Sequence, residues 1–433
     1  MNRQCLIDDP LYVASLDRTN TTSRQAVHIV APALKAVGIN VNYLTLCTTS
    51  VYEARKKTRS SIKQGIRDAF CPKTPLVIHF DGKLLPDDDG VNADRMAVVV
   101  SGKDIEKLLA IPKLPGSGTG VLMGNKVVQI LSEWEGVSDW LAALCFDTTS
   151  ANTGVRSGAI TVIQQAFDKR LLFLACRHHL FEIIAAAVFD LFFVSSGPKI
   201  AIFARFSDQW PFIDQRNFAP LNKDTKGCSL TDSEKVWLEQ NRHAVVEFLC
   251  AQLSRGDQPR QDYLEFIKLS LVALDEASRV GDGDDIHFSP PGACHHATWI
   301  AKDIYCLKIL LFREQFKMNA KELQAFRRIC LFTITLYVKA WFTAPVTCDA
   351  PYNDLCMLQS MESFRSIDIQ VAEVALHKMK AHLWYISEDL AELSLFSDKA
   401  LADEKKQMVT DFVTFSQIRI CRICRPVFCR IRI

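Results

Sequence analysis

Residues 141–190, LAALCFDTTSANTGVRSGAITVIQQAFDKRLLFLACRHHLFEIIAAAVFD, constrain the fold more than any other stretch of this chain. Residues 141–146 are apolar and stop at Asp147, and residues 171–175 are apolar and stop at Cys176, Arg177, His178 and His179. Between them lie a polar turn, 148–154, and a segment of helical spacing over 157–167. Short apolar runs bounded by polar residues read as buried strands, and a helix-length connection between two such strands suits a sheet with helices packed on it. The stretch therefore predicts an α/β core. An acid at the carboxyl end of a buried strand is where α/β enzymes place catalytic or metal-binding groups. A second apolar run, 76–80, is followed in the same way by Asp81.

Around this core the chain changes character along its length. Residues 1–72 are polar and end in a basic helix-like run carrying Arg55, Lys56, Lys57, Arg59, Lys63 and Arg67. That run either meets phosphates or is a solvated helix face. Residues 73–195 alternate strand and helix patterns. Runs 76–80 and 96–100 flank turn residues and read as a meander, and residues 125–135 have helical apolar spacing. A mixed sheet with helices packed on it follows. From 196 to 375 strand signals fade, and helices are expected over 233–253, 261–277, 297–316 and 320–342, with a linker at 280–293. A further helix is expected over 368–390, so that residues 376–410 close the core. Residues 411–433 form a Cys- and Arg-rich tail, with Cys421, Cys424 and Cys429, to which no role is assigned.

With 433 residues, 48% of them hydrophobic and 26 of them Phe, the chain has material for about two or three packed domains. A net charge of +2 demands no nucleic-acid partner, so a basic surface must be local. No apolar signal core follows the N-terminus, and the apolar stretches read as buried helices, so neither secretion nor a membrane is expected. The 15 scattered Cys then suit a reducing compartment.

Several chemistries are open to the motifs. Asp81 and Asp147 are acids of the kind that hold divalent cations against a phosphate, or acids that tie down the turn after a strand. Cys176 and His179 have the spacing of a zinc half-site that Cys294, His295 and His296 could complete, but a buried Cys and a hydrogen-bonded His at a helix start suit them better, and zinc is not expected. A nucleophilic Cys145 or Cys176 is disfavoured, because an apolar strand keeps a thiol protonated.

In order, FDGKLLPD (80–87), CFDTTSANTG (145–154) and LACRHH (174–179) resemble the catalytic core of hAT-type DNA transposases, and more closely the transposon-derived proteins of that kind. The resemblance implies an RNase H-like mixed sheet with flanking helices, interrupted by a large all-α insertion at about 196–375. It assigns catalytic acids to Asp81 and Asp147, with Asn152 completing the second motif, and places the Cys-x-x-His motif at Cys176 and His179. The third acid of the family comes from a late helix, where Glu388 is the first candidate and Glu392 the second. The Arg-Trp pair of the insertion corresponds to Thr298 and Trp299, so the Arg is missing. The family's Ser-x-x-Glu-Arg pattern and its N-terminal zinc finger are also missing, which implies a degenerate or domesticated copy.

Two functions follow from the resemblance. The first is a non-catalytic nucleic-acid or protein-interaction module that keeps the fold. The second is an active DDE-type transposase or endonuclease, with Asp81, Asp147 and Glu388 holding two Mg²⁺ or Mn²⁺ ions for in-line attack on a DNA phosphodiester. The resemblance also implies DNA as a partner, self-association as a homo-oligomer, and a nuclear or otherwise cytoplasmic location.

Overall fold

The computed structural model describes residues 9–41, 44–86, 91–114, 116, 118–169, 171–193, 200–225, 227–281, 286–292, 299–382 and 393–407. Its strands are β1 (Leu76–Pro86), β2 (Asn92–Gly102), β3 (Ile105–Ala110), β4 (Leu141–Phe146) and β5 (Leu172–Ala175). They form one mixed five-stranded sheet in the order β3-β2-β1-β4-β5. The first three strands pair antiparallel, whereas β4 and β5 run parallel from Ala143↔Leu172 to Phe146↔Ala175. The expected α/β class and mixed sheet are present.

By compactness the chain divides into two units, Met1–Ala142 with Val155–Arg170, and Ala143–Gly154 with Leu171–Ile433. In the first unit, Leu76, Ile78 and Phe80 alternate inward on β1 and Met96, Val98 and Val100 on β2. This period of two buries one side of the hairpin. The expected strand end at Phe80 is not observed, because β1 continues to Pro86, each residue paired with β2 down to Pro86↔Asn92. Ladder hydrogen bonds hold Asp81 and Gly82 extended, overriding the turn preference of an Asp-Gly pair.

Three helices precede the sheet: α1 (Pro10–Arg18), α2 (Ser23–Ala36) and α3 (Thr48–Ala69). They close on a small core of Leu16, Ala26, Val51 and Ala54, with Tyr12, Val27 and Leu46 packed against it. Asp17 accepts hydrogen bonds from Arg55 and Arg59, tying α1 to α3. Helix α4 (Gly120–Ser132) packs on α6 (Ala159–Phe167), with α5 (Ser150–Thr153) a single turn between β4 and α6. The close approach of α4 requires Gly124, where a Cβ would lie 2.8 Å from that of Val162 and 2.9 Å from the Ala159 carbonyl.

The second unit is largely helical, with α7 (Arg177–Asp190), α8 (Ala201–Gln209), α9 (Asp232–Arg255), α10 (Gln261–Ala273), α11 (Trp299–Leu311), α12 (Ala320–Phe332), α13 (Val338–Thr343), α14 (Ala350–Phe364) and α15 (Ile369–Ala381). Capping boxes start two of them, at Thr231 with Glu234 and at Asn319 with Glu322, and each satisfies end N–H groups. Helix α7 is central: Leu180, Phe181, Ile184, Val188 and Phe189 are buried, and it packs against α11, α13 and α15. The helix expected over 320–342 is instead α12 and α13 joined by a π-helical turn, Thr333–Tyr337. Within that turn Thr335 donates back to the Leu331 carbonyl at 2.7 Å, a contact that loosens the regular ladder. Helix α14 has no counterpart in the sequence reading.

Candidate functional site

The parallel pairing of β4 and β5 brings their carboxyl ends together, with the Cys176 N–H donating to the Phe146 carbonyl at 2.7 Å. Asp147 follows β4 directly and is half-buried. Its Oδ1 accepts from the Thr149 N–H at 3.0 Å, from the Thr149 hydroxyl at 2.6 Å and from Asn152 Nδ2 at 2.7 Å. Helix α5 supplies the geometry: its single turn lets the Asn152 and Thr153 N–H groups donate to the Thr149 carbonyl, which swings the Asn152 side chain back toward β4. Asn152 is buried, and among the described residues neither its own Oδ1 nor the Thr148 hydroxyl has a hydrogen-bond partner. Asp147 and Asn152 thus form a clasp that closes the loop after β4.

The second end of the pair carries the Cys-Arg-His-His cluster. Cys176 sits at the N-cap of α7, and His179 is half-buried in the first turn. The firm tertiary contacts belong to the residues between them. Arg177 is buried and forms a two-pronged ion pair with Asp354 on α14, while its guanidinium lies 5.3 Å from the centre of the Phe181 ring. His178 Nε2 is 3.1 Å from the Trp341 carbonyl, and the two rings are 4.3 Å apart. Burial is the main force holding the His178 imidazole below its ordinary pKa, with Arg177 and Arg260 acting in the same direction. Sequence reasoning passed over Arg177 and His178 in favour of the Cys-x-x-His spacing. An Arg at the head of an otherwise apolar helix was the available signal, since a buried Arg calls for a partner.

Burial pushes the Cys145 thiol up to about 12, with Cys176 adding to the shift, which favours the protonated thiol at neutral pH. Asp81 lies within β1, opposite Ala97, and not after the strand as expected. Its carboxylate is 53% exposed and 3.0 Å from Lys83 Nζ. Trp299 opens α11, its side chain lying outside the described residues, as do Glu388, Glu392, Cys294, His295, His296, Thr298 and the Cys residues of the tail. Among the described residues, no three His, Cys, Asp or Glu side chains gather as a metal ion would require. Asp147 Oδ1 accepts from three donors and Asp81 lies beside Lys83, while the third expected acid, Glu388, lies outside the described residues.

The basic run falls on α3, where half its charge is used internally. Arg55 and Arg59 pair with Asp17, and Arg67 pairs with Glu133 while lying over Trp134. Lys56, Lys57 and Lys63 remain exposed. Among the described residues no helix is long and apolar enough to cross a membrane. What fold and site define is an α/β protein with a mixed sheet and a hydrogen-bonded clasp after β4. In comparisons with known proteins, no family model and no curated protein matches the chain.

Proposed function

We propose that this chain is a transposon-derived protein of the hAT kind, with an RNase H-like core and an all-α insertion, that works as a nucleic-acid or protein-binding module and not as a nuclease. The mixed sheet, with an acid directly after its fourth strand and Cys-x-x-His directly after its fifth, supports the family reading. So does the helical run from α8 to α15, which fits the insertion. One observation carries the non-catalytic reading: the Asp147 Oδ1 is occupied by Thr149 and Asn152 as the closing bond of its own loop. Exposed Lys56 and Lys57 on α3 support DNA as a partner, held through its phosphates.

The test pairs cleavage with binding. Supercoiled plasmid incubated with the full chain and Mn²⁺ should be nicked no faster than with Asp147→Asn, a variant that keeps an acceptor oxygen for the clasp. A labelled DNA duplex should still bind, less tightly as salt rises and less tightly to a Lys56→Glu, Lys57→Glu variant. Mn²⁺-dependent nicking that disappears in Asp147→Asn would establish the active two-metal enzyme instead.

A further inference from the structure

The outer edge of β3 and the groove beside it form, we propose, a docking site for an extended acidic peptide that adds to the sheet as another strand. This inference does not depend on the family reading. Strand β3 ends the sheet order and, among the described residues, pairs only with β2. A strand with one free flank presents a row of backbone donors and acceptors suited to an incoming extended chain. Next to its carboxyl end lies a groove of about 440 Å³, bounded by α3, β3 and α4.

Lining and charge specify the occupant. Leu109, Ile111 and Ile130 give the groove an apolar floor, with Lys63 and Lys126 on its walls. The one acid there, Glu133, is taken by Arg67. Lys126 donates only to the neutral Gln129, and among the described residues neither lysine forms an ion pair, so the groove is positive. Leu108 on β3 is 50% exposed, and Ile62 and Ile66 on α3 are 46% and 40% exposed, which offers contacts to alternate apolar side chains. An extended peptide of alternating acidic and apolar residues matches all three features, since its backbone meets the edge, its acids the lysines and its apolar residues the floor. Nucleic acid matches the lysines alone.

Fluorescence anisotropy of a fluorescein-labelled peptide alternating Glu and Val, titrated with the full chain, tests the site. Saturable binding is expected, weakened about tenfold or more in Lys63→Glu, Lys126→Glu, with a peptide alternating Lys and Val failing to bind. Methylating alternate backbone nitrogens of the Glu–Val peptide should weaken binding similarly, and this arm leaves the protein unaltered. Equal binding of the methylated peptide, or of the variant at unchanged melting temperature, overturns the proposal. It is also overturned if oligodeoxythymidylate binds in a lysine-dependent way while the Glu–Val peptide does not, which would make the groove a phosphate site.

Discussion

A carboxylate that follows a buried strand has two oxygens, which can hold a cation, tie down the turn it begins, or do both. At Asp147 the Thr149 N–H, the Thr149 hydroxyl and the Asn152 amide all converge on Oδ1. Replacing Asp147 by Ala removes three bonds and leaves the buried Asn152 amide only the long, 3.5 Å contact with the carbonyl of residue 147. The expected loss of stability is about 2–4 kcal/mol by urea denaturation, against about 1 kcal/mol for Asp147→Asn, which retains an acceptor. Equal stability of Asp147→Ala and wild type would mean that the clasp contributes nothing. That an acid ends β4 was legible from the abrupt stop of an apolar run. Its engagement was not, because it depends on one helical turn carrying Asn152 back over the strand end.

Elements meet through residues that sequence patterns rank low. Helix α7 was legible as a buried helix from its apolar run, yet its attachment to α14 rests on Arg177 and Asp354, 177 residues apart in sequence. Both side chains are almost fully buried. Arg177→Ala takes both prongs of this ion pair from the buried Asp354 carboxylate, so an expected cost of about 3–5 kcal/mol should appear as a lowered denaturation midpoint. The double variant Arg177→Met, Asp354→Leu should recover much of that stability, because removing both charges leaves neither stranded. A double variant as unstable as Arg177→Ala would place the loss in packing instead. Strand β1 teaches the same lesson in its length. Its apolar half was read correctly, and its polar half was missed because pairing with β2, which no local pattern encodes, holds it extended.

Across the whole molecule, two buried groups of the helical unit give stability opposite slopes with pH. Burial holds the Asp303 carboxyl well above the usual carboxylate range, with the Thr333 hydroxyl opposing it and the Glu182 charge adding to the rise. The folded chain therefore keeps that proton more tightly than the unfolded chain. The stability it contributes is whole below the ordinary Asp pKa and is lost as pH rises through the folded one. His178, held low by burial, contributes above its ordinary pKa and loses that contribution as pH falls through the folded value. Asp303→Asn removes the first slope, so its melting temperature should gain on wild type as pH rises above the ordinary Asp pKa. A gap that stays constant would mean that Asp303 ionises alike in folded and unfolded chains. The sequence by itself determined where apolar runs of period two and of helical period lie, and so the sheet, the long helical stretch and their order, since those patterns need only local burial to act. Tertiary structure alone decided where β1 ends, what Asp147 holds, and which acid meets Arg177. Each of those depends on groups brought together by folding, whose hydrogen bonds and desolvation no local spacing encodes.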